Sequence, residues 1–260
     1  MGITIEGGNV TIEGGSLSVL STLKSGTVYD DTYGFTDFSE FSVAAGVPTG
    51  LSYIGNATAF SSRGIANDAM EGNYWYISPN TNADYAITVD NFDSVLTSNQ
   101  NDDLEMLGRV WVPTNLDNRR VGGPGGFIGG TDETDIDGYA GTLYMRNSTD
   151  YEIEIIQVLN GVGGVFAAAD ISEQNNVWMW IRFKVIDQGA TDDLYIKGWY
   201  GDYGDEPGSW DATVTSATKR NVNLGLKIGW FLPRIPRSVE QRCSYLSFSK
   251  DPSTTPPPPP

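Results

Sequence analysis

The sequence predicts an all-β fold, a two-sheet antiparallel jelly-roll sandwich. Only 19% of the 260 residues are charged, whereas glycine is abundant and aromatic residues make up 12%. β-Branched and aromatic side chains favour strands, and glycine favours turns. From residue 28 to residue 248, short apolar runs are separated by Gly, Asn, Asp and Pro, and no long stretch has helical periodicity. A chain of this length suits one such domain with extensions.

The strand assignments rest on runs in which apolar and polar residues alternate. The strongest runs are 86–90, 104–112, 142–146, 151–159, 177–185, 194–200, 224–232 and 243–248. In the run 177–185, alternation puts on one face the side chains of Val177, Met179, Ile181, Phe183 and Val185, and on the other those of Trp178, Trp180, Arg182 and Lys184. We expect the first face to line the core.

The second face of this run carries two tryptophans beside two cations. A sandwich buries one face of each sheet, so a mixed outer face of this kind is typical of a binding surface. The candidate contacts with a ligand or partner are Trp178, Trp180, Tyr195 and Trp199. The alternative is that a loop or arm covers the two tryptophans, because large aromatic side chains are usually at least half buried.

A short repeat opens the chain. ITIEGGN is followed by VTIEGGS, so that Ile3, Ile5, Val10 and Ile12 alternate with polar residues. Two strands this short do not bury enough apolar surface to be stable alone. Residues 1–27 therefore form either an assembly arm that adds strands to a neighbouring chain or an edge hairpin on their own domain.

Two further segments complete the predicted organisation. Residues 28–250 form the sandwich domain. Residues 251–260, DPSTTPPPPP, can neither pair in a sheet nor continue a helix, because proline lacks the backbone N–H donor. They form a polyproline II tail that serves as a linker or a docking peptide.

The charge balance argues against nucleic acid as a partner. Acidic residues number 33 and basic residues 16, which gives a net charge of −17, whereas phosphate binding needs clustered Lys and Arg. Cys243 is the single cysteine in the sequence, so the chain forms no internal disulfide. The first residues lack the pattern of a signal peptide, and no run approaches the roughly 20 apolar residues of a membrane span. We expect a soluble protein without a membrane partner.

The sequence contains no histidine, which removes the usual general base and the common catalytic triads. The segment YEIEIIQV at 151–158 resembles the E-x-D-x-x-E strand of family 16 glycoside hydrolases, which are concanavalin A-like jelly rolls. Its positions here are Glu152, Glu154 and Gln157, and an amide in the acid/base position cannot supply a proton. We predict that the chain is not an enzyme and that Glu152 and Glu154 form an exposed acidic strand edge.

Two loops are candidates for other chemistry. The stretch VGGPGGFIGG at 121–130 lacks the Lys-Ser or Lys-Thr ending of a phosphate loop, and we interpret it as a mobile hairpin tip or a close-packed turn, with Phe127 and Ile128 as contact residues. The stretch that follows it contains Asp132, Glu133, Asp135 and Asp137, a density of carboxylates that suits calcium. The metal ligands would be Asp132, Asp135 and Asp137. The alternative is a solvated acidic loop, and no other cofactor is expected.

Several segments, in order, resemble a family. YGFTDFSEFSVAAGVPTGLSY at 33–53 is similar to the F-x-x-F-S-E-[YF] opening of phage structural proteins with a laminin G-like or concanavalin A-like domain, except that Leu51 stands where the family usually has tryptophan. The likeness covers residues 28–250. Its most specific part is K-x-W…E-P-x-x-W, which consists here of Lys197, Trp199, Glu206, Pro207 and Trp210.

The resemblance implies a jelly-roll protein of the virion and implies no enzyme. Together with the repeat, it predicts a structural component of a phage virion, in head decoration, a fibre or the tail. We expect it to be held by other virion proteins and by further copies of the same chain, for which a trimer is one arrangement. The alternative is a lectin-like carbohydrate-binding module, whose aromatic side chains stack on glycans of the host surface.

Overall fold

The computed structural model describes residues 2–6, 9–13, 27–29, 33–38, 41, 44–46, 50–55, 60–79, 83–89, 103–114, 118–132, 134–147, 149–218, 227–235 and 240–250. Within these ranges the strands are β1 (Gly2–Glu6), β2 (Asn9–Glu13), β3 (Thr27–Tyr29), β4 (Tyr33–Thr36), β5 (Ala44–Ala45), β6 (Leu51–Ile54), β7 (Phe60–Asp68), β8 (Gly72–Pro79), β9 (Ala83–Val89), β10 (Leu104–Val112), β11 (Arg119–Val121), β12 (Gly123–Gly129), β13 (Asp137–Asn147), β14 (Asp150–Leu159), β15 (Val162–Ile171), β16 (Val177–Asp187), β17 (Thr191–Tyr200), β18 (Ala212–Thr218), β19 (Lys227–Ile235) and β20 (Gln241–Ser249). One short 3-10 turn spans Tyr203–Asp205.

The strands other than β1 and β2 form two antiparallel sheets, which confirms the predicted two-sheet sandwich. The ten-stranded sheet has the order β18-β17-β16-β10-β20-β8-β7-β5, and β4 pairs with both β20 and β3. The eight-stranded sheet has the order β15-β14-β13-β12-β19-β9-β6, and β11 pairs with β13. No helix among the described residues is long and apolar enough to cross a membrane.

The core lies between the two sheets. The inner face of the ten-stranded sheet contributes Trp75, Ile77, Met106, Val110, Met179, Ile181, Phe183 and Phe248, and the eight-stranded sheet contributes Leu143, Met145, Tyr151, Ile153, Ile155 and Trp230. Burying each large apolar side chain stabilises the fold by about 1.5–3 kcal/mol. The predicted inner face of β16 is therefore confirmed, and each of the eight predicted runs overlaps a strand.

The glycine-rich stretch is a buried strand, so its interpretation as a mobile tip or a turn is wrong. All seven residues of β12 are buried, including Phe127 and Ile128, which are therefore not surface contacts. A Cβ on Gly123 would lie 1.7 Å from the backbone oxygen of Gly141 on β13. Glycine serves here to let two backbones approach closely, a role that composition alone does not distinguish from a turn.

The N-terminal repeat forms a two-stranded sheet of its own. β1 pairs with β2, with Ile3 opposite Ile12 and Ile5 opposite Val10, and neither strand joins a sheet of the sandwich among the described residues. The proline tail at 251–260 lies outside the described residues. The segment boundaries 1–27, 28–250 and 251–260 stay predictions.

Candidate functional site

The outer face of the ten-stranded sheet is sealed at its centre by aromatic rings. Trp180 on β16 stacks on Trp199 of β17 with ring centroids 6.2 Å apart. The edges of its ring meet Tyr203 and Tyr245, each at 5.8 Å, and only 1% of Trp180 is exposed. Tyr203 belongs to the β17–β18 loop, residues 201–211, so this loop covers the sheet. The alternative of a covering loop therefore holds for Trp180, which offers no free ring face to a ligand.

A chain of ion pairs holds the β17–β18 loop against the sheet. The buried guanidinium of Arg182 binds Glu105 at 2.8 Å and Glu206 of the loop at 2.6 Å. Lys197 binds Glu206 at 2.6 Å, and Lys184 binds Glu105 at 3.0 Å. Burial opposes the charge of Arg182, but its two carboxylate partners raise the pKa of the guanidinium above its ordinary value. Each buried charge is thus compensated, as burial requires.

The segment that carries the family resemblance acts as a clasp for this loop. Lys197 donates a hydrogen bond to the carbonyl oxygen of Pro207 at 2.9 Å and lies 4.8 Å from the ring centroid of Trp210. The indole N–H of Trp199 donates to the carbonyl oxygen of Asp202 at 3.1 Å. The pattern of cation, aromatic and carboxylate residues therefore fixes a loop, which gives the segment a structural role.

Beside the sealed centre, the same face opens into a cleft of about 480 Å³, which we name the Trp178 cleft. Its floor consists of Arg109 and Trp111 on β10 and Trp178 on β16. One wall is the β7–β8 turn, which includes Asp68, Met70 and Glu71, and the other is the start of the β17–β18 loop, Gly201 and Asp202. The rest of the lining consists of Gln174, Asn176, Val177 and Tyr200. The volume lies within the range of about 300–1,000 Å³ that is typical of small-molecule sites.

Aromatic rings and one guanidinium organise the floor of the Trp178 cleft. Trp111 and Trp178 meet edge to face with centroids 5.6 Å apart, and Tyr74 meets Trp178 in the same way at 5.9 Å. Arg242 lies over both Tyr74 and Trp111, 5.2 Å from each ring centroid. Trp178 is 8% exposed, whereas Trp111 is half-buried. Trp111 therefore presents more of its ring to the cleft.

The wall of the Trp178 cleft carries a partly buried ion pair. Arg109 binds Glu71 at 2.7 Å and also lies over the Trp180 ring, 4.7 Å from its centroid. Desolvation raises the pKa of Glu71 above its ordinary value, although Arg109 acts in the opposite direction. Asp68 accepts hydrogen bonds from the backbone N–H groups of Met70 and Glu71 and so shapes the turn. The Met70 side chain at the tip is 93% exposed.

A second cleft of about 420 Å³ lies across the neighbouring strands β7 and β8, and we name it the Tyr76 cleft. It is lined by Ala45, Ser62, Ile65, Ala66, Tyr74, Tyr76 and Glu240. Tyr74 connects the two clefts, because it lines the Tyr76 cleft and contacts Trp178.

The four aromatic candidates have different surroundings. Trp178 lines the Trp178 cleft, whereas Trp180 and Trp199 are buried under the loop. Tyr195 is half-buried and packs against Trp210 at 5.6 Å. Sequence reasoning missed Trp111, although the alternation rule applied to the run 104–112 would have put it on one face with Arg109. Trp111 lies directly opposite Trp178 in the register of β10 and β16.

The acidic strand edge was predicted wrongly. β14 is an interior strand between β13 and β15, and Glu152 and Glu154 are buried. Arg120 binds Glu154 at 2.8 Å, and Arg146 binds Glu152. β14 pairs with β13 without a register shift between residues 151 and 158. By alternation, Gln157 therefore faces the core side, away from the two carboxylates, and bonds to the hydroxyl of Tyr139 at 3.3 Å.

The three predicted metal ligands do not converge: Asp132 and Asp135 bind their own loop, and Asp137 binds the turn after β14. Asp135 accepts hydrogen bonds from the backbone N–H groups of Thr131 and Asp132, and Asp132 accepts them from the hydroxyl and N–H of Thr134. These bonds hold the pKa of both carboxyls below the usual range. Asp137 accepts from the backbone N–H of Asn160. Glu133 lies outside the described residues, and calcium binding stays a prediction.

One group of carboxylates does come together, on β14 and β15. Oxygen atoms of Asp150, Glu152 and Asp170 lie within 4.8 Å of one another, and no other such group occurs in the described ranges. Arg146 binds both Asp150 and Glu152. Because Arg146 already occupies two of these carboxylates and Asp170 is exposed, the group supplies no argument for a metal ion.

The sandwich is similar in fold to solved structures. A protein of unknown function from Shewanella oneidensis MR-1 is similar with a TM-score of 0.53 at 12% identity, over 85% of this chain and 87% of that one. The bifunctional GH43-CE protein of Bacteroides eggerthii gives 0.50 at 7% identity, over 96% of this chain and 30% of that one. The CBM2 module of the evolved Dit protein of Lactobacillus casei BL23 phage J-1 gives 0.47 at 11%, over 87% and 96%.

These identities are low, so the likeness concerns the fold alone. No protein-family model matches the chain, and no curated protein matches its sequence.

Proposed function

We propose that the chain is a non-catalytic glycan-binding module of a phage particle, and that it contacts saccharides of the host surface through the Trp178 cleft. The observation that carries this proposal is the lining of the cleft, in which two tryptophans and a guanidinium form the floor and a carboxylate stands on the wall. The assignment to a phage particle rests on the resemblance of residues 28–250 to phage structural proteins.

The chemistry of the cleft suits a saccharide. The C–H face of a sugar ring is apolar and packs against an aromatic ring, while its hydroxyl groups need both donors and acceptors. Trp111 supplies a partly open ring, and Arg109, Glu71 and Asp202 supply the polar groups. Hydrogen bonds to such charged groups are stronger than those between neutral groups.

The residues around the cleft support binding without catalysis. The sequence has no histidine. The cleft carboxylate of Glu71 is bound to Arg109, and the wall residue Asp202 belongs to a loop that is clasped to the sheet. Glycoside hydrolysis needs one carboxyl group that gives up and recovers a proton opposite a second carboxylate. Glu152 and Glu154 do not serve this purpose, because each is buried against an arginine.

The test is binding of the full chain to an array of bacterial surface glycans, followed by calorimetry on the glycan that binds best. We expect Trp111→Ala to weaken binding by at least about tenfold, which corresponds to about 1.4 kcal/mol. Met70→Glu changes a fully exposed side chain at the cleft rim and should weaken binding without lowering stability.

The matched control is Phe166→Ala, which removes a ring that is 40% exposed on β15 of the other sheet. We expect this variant to bind like the wild type. Equal binding by wild type, Trp111→Ala and Met70→Glu would exclude the cleft as the site. Release of reducing ends from the bound glycan would show that the chain is an enzyme.

A second role, assembly into the particle, is favoured by the separate β1–β2 sheet. A two-stranded sheet needs a surface to lie against, and β1 and β2 join neither sheet of the sandwich in the part of the chain that is described. We expect deletion of residues 1–24 to abolish incorporation into particles and to lower the mass of the assembled protein in light scattering. Deletion of residues 251–260 is the comparison variant. Unchanged incorporation of the first variant would rule out an anchoring arm.

A further inference from the structure

The Trp178 cleft and the Tyr76 cleft adjoin on the outer face of the ten-stranded sheet. Tyr74 lines the Tyr76 cleft and touches Trp178 with a centroid distance of 5.9 Å. Arg242 lies over the rings of Tyr74 and Trp111 at equal distances. A ridge of stacked side chains, Tyr74 and Arg242, therefore connects the clefts.

Each cleft alone is large enough for a small ligand. Their volumes are about 480 Å³ and 420 Å³, and small-molecule sites begin at about 300 Å³. Both contain aromatic rings, Trp111 and Trp178 in one and Tyr74 and Tyr76 in the other. A ligand built from repeated similar units fits this repetition of similar surfaces better than a single compact ligand does.

Negative charges outnumber positive charges in and between the two clefts. The clefts are lined by four carboxylates, Asp68, Glu71, Asp202 and Glu240, whereas Arg109 and Arg242 supply the cations of the floor and the ridge. Both cations have carboxylate partners, because Arg109 binds Glu71 at 2.7 Å and Arg242 binds Glu240 at 2.6 Å. Asp68 and Asp202 then leave the path with an excess of negative charge.

This imbalance selects against anionic ligands. A carboxylate or phosphate on the ligand would meet like charges, and would have to compete with Glu71 and Glu240 for the two guanidiniums. The net charge of −17 adds long-range repulsion at low salt. Hydroxyl groups of an uncharged sugar can accept from the arginines and donate to the carboxylates without breaking either ion pair.

We propose that the ligand is a linear, uncharged glycan whose chain runs from the Trp178 cleft across the Tyr74–Arg242 ridge into the Tyr76 cleft. This proposal rests on the glycan-binding function proposed above and adds the ligand's shape and charge. Binding of one chain in two connected clefts makes the second contact intramolecular, so affinity rises with chain length until both clefts are filled.

The first arm of the test measures length dependence. An uncharged polysaccharide that binds the wild type is cut into fragments of increasing length, and each fragment is titrated by calorimetry. For the wild type we expect the longest fragments to bind at least about tenfold more tightly than the shortest, a difference of about 1.4 kcal/mol. Tyr76→Ala should remove this gain and leave the shortest fragments unaffected, whereas Trp111→Ala should weaken fragments of every length.

A second variant in the Tyr76 cleft controls for a folding defect in Tyr76→Ala. Ser62 is exposed and lines the Tyr76 cleft, so Ser62→Gln places a larger uncharged side chain there with little risk to the fold. It should remove the length gain as Tyr76→Ala does. If affinity does not depend on length, or if both variants keep the gain, the continuous path is wrong while the glycan-binding function stands.

The second arm measures the effect of ligand charge. A polysaccharide of the same linkage that bears carboxylates should bind at least about tenfold more weakly than the uncharged one at low salt, and added salt should narrow the difference. Asp202→Asn removes an exposed carboxylate from the cleft and should favour the anionic glycan selectively. Preference of the wild type for the anionic glycan would overturn the charge assignment. Absence of binding to any glycan would overturn the proposed function itself.

Discussion

Trp178 and Trp180 lie two residues apart on one strand and one face, yet their surroundings differ. Trp180 is enclosed by Trp199, Tyr203 and Tyr245, whereas Trp178 lines an open cleft. The difference arises from the β17–β18 loop, which crosses the sheet over Trp180. The beginning of the same loop, at Asp202, is a wall of the cleft. A binding surface therefore exists on this face only where the loop leaves it uncovered.

The two regions also use charge differently. At the sealed centre, the guanidinium of Arg182 is 1% exposed and is bound by the two carboxylates of Glu105 and Glu206. In the cleft, Arg109 and Glu71 are partly exposed and remain within reach of a ligand. A fully buried guanidinium such as Arg182 fixes structure at a desolvation cost, whereas a partly exposed one such as Arg109 can exchange part of its hydration for contacts with a ligand.

Among the variants that test the contrast between the sealed centre and the cleft, Trp180→Ala should lose the most stability. The substitution leaves a cavity among packed rings, and such losses cost about 3–5 kcal/mol of unfolding free energy. Denaturant unfolding measures the loss. Trp111→Ala should cost clearly less, because Trp111 is half-buried. If the two variants lost the same stability, the sealed and open regions would not differ in packing.

Glu206→Gln should loosen the loop while keeping its shape. The amide cannot replace the ionic contacts with both Arg182 and Lys197, and we expect a loss of about 1–3 kcal/mol. Hydrogen exchange in residues 201–211 should accelerate.

The rate of thiol labelling at Cys243 distinguishes local opening of the loop from global unfolding. The Cys243 thiol is fully buried, and burial raises its pKa well above the usual value. In Glu206→Gln, thiol labelling should remain slow while exchange in the loop becomes fast. If both became fast together, the ion pairs would stabilise the whole sandwich and not the loop alone.

The smallest expected effect is the change of folding stability with pH that Glu71 causes. Desolvation raises its pKa above the ordinary value of 4.5, so just above pH 4.5 the folded chain retains a proton that the unfolded chain has released. The corresponding stabilisation is full below pH 4.5 and is lost as the pH rises through the raised pKa. The stability of the wild type relative to Glu71→Gln should therefore fall across this window.

Denaturant unfolding at several pH values measures this dependence. Met70→Ala, a neighbouring uncharged change, should keep the wild-type dependence on pH. A wild-type stability that rose relative to Glu71→Gln across the same window would show that the ion pair with Arg109 outweighs desolvation.

Alternation predicted which residues of β16 enter the core, because a strand sends successive side chains to opposite faces whatever its neighbours are. It also put Glu152 and Glu154 on one face, with Gln157 on the other. It could not show that this face is buried, because alternation assigns faces without identifying the neighbouring strands, and β14 lies between β13 and β15. The arginines that compensate the two glutamates come from β11 and β13, and Arg120 of β11 is 34 residues from Glu154 in the chain.

The all-β class, the two-sheet architecture and the inner face of the central strands follow from local periodicity and turn composition, so they could be predicted before the fold was known. The tertiary structure decided which outer-face residues stay accessible. That choice depends on where a loop between β17 and β18 is clasped by Lys197 and Glu206, and on the pairing of β10 with β16, which brings Trp111 beside Trp178. Contacts between residues this far apart in the chain leave no periodic signal in it, so the cleft becomes visible only in the folded molecule.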